Sequence, residues 1–534
     1  MHLREWSYSF SSMYQFISNG WKRGFRVSHT RFSLGFAVLL YAVCNSVNAD
    51  KLIKWFRLGD GLDLAALCAF LVAGLCLFTG FFALLAHRLT IKPLAILLTI
   101  LSAAATYFIA KYNVAIDSSM VRNTIHTDIT EVGQLLSLQM IPYVIFLVLL
   151  PTVIILKADI TFRPSARYLL DSLVLIMVTL GVALACLYSN YNGILRAGNV
   201  SSKYIVYSLV PINIISSSMA VASKSLRPWL RRDAKAIEIT GHVSAPGDLV
   251  VVLAIGESSR KKNFSLYGYQ RRNTNPELQT ISGLHLLNGI ARRGSTLYAL
   301  PQILEKNEIK LPMMVSRMGI PTACYVNYTV YDNCAAVGEI TASHCRHEKC
   351  YDEDVVPLLE NDLKSYGSGY RFLVLHLGGG SHGPIYGDRH PPEFLRFQPT
   401  CDDADIASKC TPEQVYNSYD NTILYVDHVV AEIIRTLDRR GAPYVLIYVS
   451  DHGESLMENG VMFHGMPPGM ALPQEQAEVP LIVKSSVPIT IAPRAEYLQP
   501  DIFDTVLALF SIQTDMFDAS GAFIQKSAAG ESAR

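Results

Sequence analysis

The 534-residue chain is short of charge: 17% of its residues are charged against 50% that are hydrophobic, and the formal net charge is +1. A balance this close to zero gives no whole-protein field, so composition offers no case for nucleic-acid binding. The first 30 residues lack a compact apolar core ending in small residues and carry aromatics and bases instead, so no cleavable leader is expected. Internal repeats are also missing. So is C-x-x-C spacing among the six cysteines after Leu226, namely Cys324, Cys334, Cys345, Cys350, Cys401 and Cys410, which favours disulfides in an oxidising compartment over a zinc cluster. Cys345/Cys350 and Cys401/Cys410 would each staple one loop, while the partners of Cys324 and Cys334 stay open. Cys44, Cys68, Cys76 and Cys186 sit in apolar runs, where cysteine acts as a small hydrophobe.

What charge there is crowds into the region after Leu226, so two domains of unequal character are expected, one lipid-embedded and one soluble. Five apolar stretches precede residue 190, at roughly 31–48, 62–86, 91–110, 139–156 and 168–188. Leu64–Leu85 and Pro93–Ala110 contain no charged residue, and each is long enough as a helix to cross about 30 Å of hydrocarbon. The first stretch is weaker, because Asn45 and Asn48 interrupt it. Basic residues support it: Lys22, Arg23, Arg26 and Arg31 precede it, Arg88 and Lys92 follow the second stretch, and Lys157, Arg163 and Arg167 follow the fourth. The positive-inside rule puts these segments in the cytoplasm, and five spans then deliver the rest of the chain to the other side. Lys51, Lys54 and Arg57 run against this, accompanied by Asp50, Asp60 and Asp63.

The expected organisation is therefore a five-helix transmembrane domain over residues 1–190, an interfacial bridge over 191–239 and a soluble domain over 240–534. Residues 113–138 are too polar to span, and their helical scatter of apolar positions fits a helix at the membrane surface. On pattern alone they read as a connector. In the soluble part, Leu249–Ile255, Thr322–Val326, Phe372–Leu377, Tyr444–Val449 and Val479–Val483 are apolar runs of strand length, as in strands buried on both faces of a mostly parallel sheet. Helical stretches such as Gln414–Arg439 lie between them, giving an α/β layered domain.

Ligands of open α/β sheets collect at the carboxyl ends of strands. The residues following these runs are unusually polar: Glu257-Ser258-Ser259-Arg260 after the first, GGGSHGP with His382 after the third, and Ser450-Asp451-His452-Gly453-Glu454-Ser455 after the fourth, with Phe463-His464-Gly465 downstream. Glu257, His382, Asp451, His452 and His464 are expected to converge on one edge. Carboxylates with imidazoles suit Zn²⁺, and catalytic zinc sites keep a position open. Such a metal serves phosphate or sulfate ester chemistry by neutralising oxyanion charge and activating a hydroxyl. Ser258, Ser259, Ser295 and Thr296 are all candidates for that hydroxyl on these grounds.

The runs GESSRKKNFSLYGYQRRNTNPEL, SHGP and YVSDHGESLMENGVMFHGMP closely resemble the phosphoethanolamine transferases of bacterial outer-membrane lipid, which include lipid A enzymes and mobile colistin-resistance (polymyxin-resistance) enzymes. The resemblance spans nearly the whole chain and includes IDSSMVRNTIHTDITEVGQLLS between the third and fourth spans. It implies a sulfatase/alkaline-phosphatase-like catalytic domain in the periplasm, anchored in the inner membrane by five helices, with a resident Zn²⁺ ion and the presence of a second left open. It implies Glu257, Thr296, Asp451 and His452 as metal ligands. The resemblance implies Thr296 as the nucleophile, since in that family it is a threonine five residues before a proline, here Pro301 in RRGSTLYALP, and it sets Ser258 aside. His382 and His464 correspond to histidines that hold the phosphate, bind a second zinc or act as general acid. Asn123, Thr127 and Glu131 correspond to headgroup contacts, and Asn327 and Thr329 are further candidates for that role.

Two departures stand out. Where lipid A enzymes tether the nucleophile loop with a disulfide, this chain has Arg292 and Gln302, so a less constrained loop is expected. A headgroup lysine has no counterpart near Asn327. Arg292 and Arg293 suit an anionic acceptor as well as they suit solvent. The implied reaction moves phosphoethanolamine from phosphatidylethanolamine to a lipid A phosphate or a core-sugar hydroxyl of lipopolysaccharide, by a monomer working on membrane lipid without nucleic acid. The rivals are a phosphoglycerol transferase or membrane-bound sulfatase and, outside enzymes, a transport or assembly protein with a degenerate domain.

Overall fold

A computed structural model describes residues 24–58, 61–112, 114–126, 136–198, 206–207, 209–230, 239–327, 334, 337, 339–341, 350–403, 405–466 and 471–526. Its contacts divide into two compact units, Met1–Val121 with Ser137–Ser223 and Arg122–Leu136 with Lys224–Arg534.

The first unit holds helices α1 (His29–Ser46), α2 (Leu64–Leu85), α3 (Ile91–Tyr112), α4 (Met140–Lys157) and α5 (Ser165–Ser189), and α6 (Ile212–Leu230) starts within it. Among the described residues, α2 to α5 are long and apolar enough to cross a membrane, four helices where five spans were expected. The first stretch does fold as a helix, but its polar ends, with Arg31 at one and Asn45 and Ser46 at the other, leave too short an apolar run. Asn45 is buried, and its amide nitrogen donates to the carbonyls of Tyr41 (2.7 Å) and Val210 (2.6 Å) while its oxygen accepts from the Val210 N–H at 3.0 Å. A buried amide without such partners is costly, so this polar residue ties α1 to the segment that carries Val210. Asp63, beside the bases on the unexpected side, caps α2 by accepting from the Ala66 N–H at 3.1 Å.

The second unit is built on an eight-stranded sheet. In chain order its strands are β1 (Leu249–Gly256), β2 (Leu284–Ile290), β3 (Thr322–Val326), β4 (Glu339–Thr341), β5 (Tyr370–Leu377), β6 (Tyr444–Ser450), β7 (Glu478–Ser485) and β8 (Tyr497–Leu498), arranged β4-β3-β5-β1-β6-β7-β2-β8. Within this sheet β7 runs against the others. Alternate residues of β1 serve two cores. Val250, Val252 and Ala254 pack on the side of helices α8 (Val355–Ser365) and α9 (Pro412–Arg440), and Leu249, Val251, Leu253 and Ile255 on the side of α7 (Thr296–Leu304) and α10 (Asp501–Leu509). Burial on both faces is why the run is continuously apolar. β2 was not expected, because its residues other than Gly289 are exposed or half-buried in no regular order and leave no continuous apolar run.

Helix α9 has clear stop signals. Thr411 accepts from the Gln414 N–H at 3.3 Å while Gln414 Oε1 accepts from the Thr411 N–H at 2.9 Å, and Gly441 closes the other end at φ 71°. The described disulfides join Cys324 to Cys334 and Cys401 to Cys410. Cys324 and Cys334, whose partners the sequence left open, thus pair with each other. Cys350 is also disulfide-bonded, and Cys345 lies outside the described residues.

Leu253 is fully buried between Val374 of β5 and Ile447 of β6. Leu253→Ala is expected to destabilise the second unit by about 2–5 kcal/mol. Thermal unfolding in detergent checks this, and an unchanged midpoint would contradict the two-sided core.

Candidate functional site

The register of the three central parallel strands sets the site. Gly256 stands opposite Leu377 on one side and Ser450 on the other, so β5, β1 and β6 end together. Glu257, the loop beginning at Gly378 and the pair Asp451-His452 therefore leave the sheet at one edge. Thr296 arrives from another direction as the first residue of α7, directly after its cap Ser295.

These groups are in contact. The Thr296 hydroxyl donates to Glu257 Oε2 at 2.9 Å and lies 3.3 Å from His452 Nε2. His452 Nε2 is 3.6 Å from Glu257 Oε1 and 3.3 Å from Asp451 Oδ2. The other ring nitrogen faces the Gly453 carbonyl at 3.0 Å, which assigns the proton to Nδ1 and turns the Nε2 lone pair toward the cluster. One ligand atom each of Glu257, His452 and His464 falls within 4.8 Å of the other two. The rings of His464 and His452 are 4.3 Å apart, and those of His464 and His382 are 4.8 Å apart. Ser258 is fully buried at φ 57°, with its hydroxyl spent on Glu257 Oε1 at 2.7 Å.

Electrostatically the cluster is unbalanced. Burial and the neighbouring Asp451 carboxylate push the Glu257 carboxyl above its usual range. Asp451 Oδ1 accepts from the Ser258 N–H at 3.0 Å and the His452 N–H at 2.7 Å, whereas Oδ2 is buried without a hydrogen-bond partner. Two buried carboxylates, an inward imidazole lone pair and an orphaned carboxylate oxygen fit a small divalent cation. The two outer histidines are tuned apart. Burial lowers the His464 imidazole, but the Glu454 carboxylate 2.7 Å from its Nδ1 outweighs this and holds it at about 9. Burial, His464 and Arg389 together push His382 well below the usual histidine value.

Several supporting residues were not singled out from sequence. Glu454 is fully buried and also accepts from the Gly383 N–H (3.3 Å) and the Tyr386 hydroxyl (3.1 Å), so one carboxylate joins the loops carrying His382, His452 and His464. Arg260 is fully buried beside the Tyr416 and Tyr419 rings and donates to the Glu454 carbonyl (3.2 Å) and Glu458 Oε1 (2.6 Å). It braces one loop against another. The only sequence signal for either was its place inside a quoted motif.

Asn327 spends its amide on Asp352 Oδ1 (2.5 Å) and the Gly378 N–H (2.8 Å). Asn123 falls on the helix Ser118–His126, but its side chain, with Thr127, Glu131 and Thr329, lies outside the described residues. The loop before Thr296 is held without a disulfide by backbone bonds, Ala291 N–H to the Ala477 carbonyl (2.8 Å) and Gly465 N–H to the Gly294 carbonyl (2.6 Å).

A mostly parallel sheet covered on both faces, with carboxylates, imidazoles and a helix-initiating hydroxyl at its strand ends, defines a sulfatase-like protein, here joined to a membrane-type helical unit. Residues 312–512 match the Sulfatase family, and residues 74–226 match the family described as Phosphoethanolamine transferase EptA/EptB. Phosphoethanolamine transferase EptA of Escherichia coli strain K12 is 31% identical over 480 residues, covering 81% of this chain and 85% of the relative. The chain thus belongs to the phosphoethanolamine transferase family and is an integral membrane protein. Phosphatidylethanolamine transferase Mcr-1 of Escherichia coli is 28% identical, with 92% of this chain and 96% of the relative covered. The solved lipooligosaccharide phosphoethanolamine transferase A of Neisseria meningitidis shares the fold at TM-score 0.80 and 24% identity, over 93% of this chain and 98% of that one.

A Cβ on Gly380, which sits at φ +41°, would lie 2.2 Å from the Glu257 carbonyl oxygen. Gly380→Ala is expected to lower phosphoethanolamine transfer roughly 100-fold by displacing Glu257. Wild-type transfer by this variant would contradict the close packing of this turn.

Proposed function

We propose that this chain moves phosphoethanolamine from phosphatidylethanolamine to lipopolysaccharide through a covalent intermediate on Thr296, at a zinc site formed by Glu257, Thr296, Asp451 and His452. The observation that carries this reading is the Thr296 hydroxyl lying 2.9 Å from Glu257 Oε2 and 3.3 Å from His452 Nε2. Bound there, Zn²⁺ supplies positive charge that eases deprotonation of a hydroxyl and offsets charge growing on a phosphoryl oxygen.

The chain's own groups account for the rest. The Thr296 proton passes to Glu257 Oε2, to which the hydroxyl already donates. The freed oxygen attacks the phosphorus of phosphatidylethanolamine, the bond from phosphorus to the diacylglycerol oxygen breaks, and phosphoethanolamine stays on Thr296. Thr296 opens α7, so the unpaired N–H groups of the first turn favour anionic charge beside it. His464, kept protonated by Glu454, protonates the departing oxygen, while neutral His382, its one N–H held by the Gly383 carbonyl, acts as a hydrogen-bond acceptor at Nε2. An acceptor oxygen then attacks the phosphorus in line, passing any proton it carries to the now neutral His464, the bond from phosphorus to the Thr296 oxygen breaks, and Thr296 regains its proton from Glu257. The acceptor is a lipid A phosphate or a hydroxyl of a core sugar, heptose or Kdo.

The membrane unit confines this chemistry to the plane where both lipids reside, raising their effective concentration. On this reading residues 1–190 form the anchor in the bacterial inner membrane, with α1 as a fifth span. Residues 191–239 form the bridge and 240–534 the periplasmic domain of a monomer. Asn123, Thr127, Glu131 and Asn327 belong to the donor-headgroup path.

Thr296→Ala is expected to abolish transfer while the protein keeps its fold and metal. Mass spectrometry of wild type incubated with phosphatidylethanolamine should find about 123 Da added to Thr296. An adduct on Ser258, or one of a different mass, would contradict the assignment. Asp451→Ala should lose zinc and activity together by metal analysis, and full zinc content in that variant would remove Asp451 from the ligand set.

A further inference from the structure

The reaction groups above leave unexplained a buried carboxylate outside every quoted motif. Asp352 is 1% exposed and opens the short turn before α8. Its Oδ1 accepts from the Gly379 N–H at 2.9 Å and from the Asn327 amide at 2.5 Å, and its Oδ2 accepts from the Gly380 N–H at 2.8 Å. Asn327 in turn accepts from the Gly378 N–H at 2.8 Å. All three glycine N–H groups of the turn after β5 are thus fixed by two side chains. Consecutive N–H groups of this kind form a cradle for an anion, here filled by a carboxylate of the chain itself.

The turn leads directly to the reaction groups. Gly380 lies against Glu257 with no room for a side chain, the Ser381 N–H donates to the Glu257 carbonyl at 2.9 Å, and His382 follows. We propose that Asp352 is a positioning residue, which locks the Gly378–Gly380 turn and through it sets the placement of Glu257 and His382. This rests on the reading of Glu257 as a metal ligand. Asparagine cannot replace Asp352, because it presents one oxygen and one NH₂ group to three converging donors and leaves at least one donor without an acceptor.

The test uses the full-length protein in detergent, loaded with Co²⁺, whose visible bands report ligand geometry, together with steady-state transfer kinetics. Asp352→Asn is expected to shift those bands and to lower kcat by about tenfold or more, with KM little changed. Asp362→Asn is the control. It removes another buried carboxylate, one that binds Arg371 and the Tyr325 hydroxyl, and its bands should match wild type. Wild-type bands and kcat in Asp352→Asn, or bands shifted equally in both variants, would overturn the proposal. If Asp352→Asn does not fold, Asn327→Ala removes one donor and the Gly378 tie while keeping the carboxylate. It should shift the bands and kcat in the same direction, and wild-type values there would also overturn the proposal. Wild-type protein that binds no Co²⁺ defeats the metal reading instead, and this proposal with it.

Discussion

Two carboxylates held side by side out of water are the constraint around which the second unit is arranged. Glu257 and Asp451 both reach His452 Nε2 within 3.6 Å and 3.3 Å, and neither is more than 3% exposed. Like charges in a low-dielectric setting repel strongly unless a proton, a cation or fixed donors intervene. The fold supplies donors to Asp451 Oδ1 and to Glu257 Oε1, yet leaves Asp451 Oδ2 without one. A cation at that point would resolve the repulsion and engage the Thr296 hydroxyl, so the proposed chemistry and the local electrostatics ask for the same charge.

The surrounding layers serve that arrangement. Parallel register ends three strands together, which brings residues far apart in sequence to one edge. The loops leaving that edge are then braced by buried side chains: Glu454 joins three of them, Arg260 joins two, and Gln499 donates to the carbonyls of Ser450 (2.9 Å) and Asp451 (2.6 Å). A polar network this dense is stable only when nearly every group is satisfied, which favours one rigid geometry.

Legibility in the sequence followed physical simplicity. Strands buried on both faces announce themselves as apolar runs, so β1, β3, β5, β6 and β7 could be read, and the polar residues after them marked the edge. Strand β2 could not be read, because a half-exposed strand mixes Leu284, His285 and Asn288 without a clear period. The first apolar stretch folds as α1, yet its polar ends keep it apart from the four described helices that are long and apolar enough to span, and its Asn45 finds a partner at Val210 that no local pattern announces. Cys324–Cys334 was hidden because pairing depends on three-dimensional proximity. Asp352 and Glu454 looked like ordinary charges, and only burial distinguishes a brace from a solvated residue.

X-ray anomalous scattering at the zinc edge, on crystals of the full-length protein, tests the central claim most directly. The account predicts a strong peak about 2.0–2.2 Å from oxygen or nitrogen donors of Glu257, Asp451, His452 and the Thr296 hydroxyl. No peak there in zinc-replete crystals, or a peak bound away from the Glu257–Asp451 pair, would contradict it.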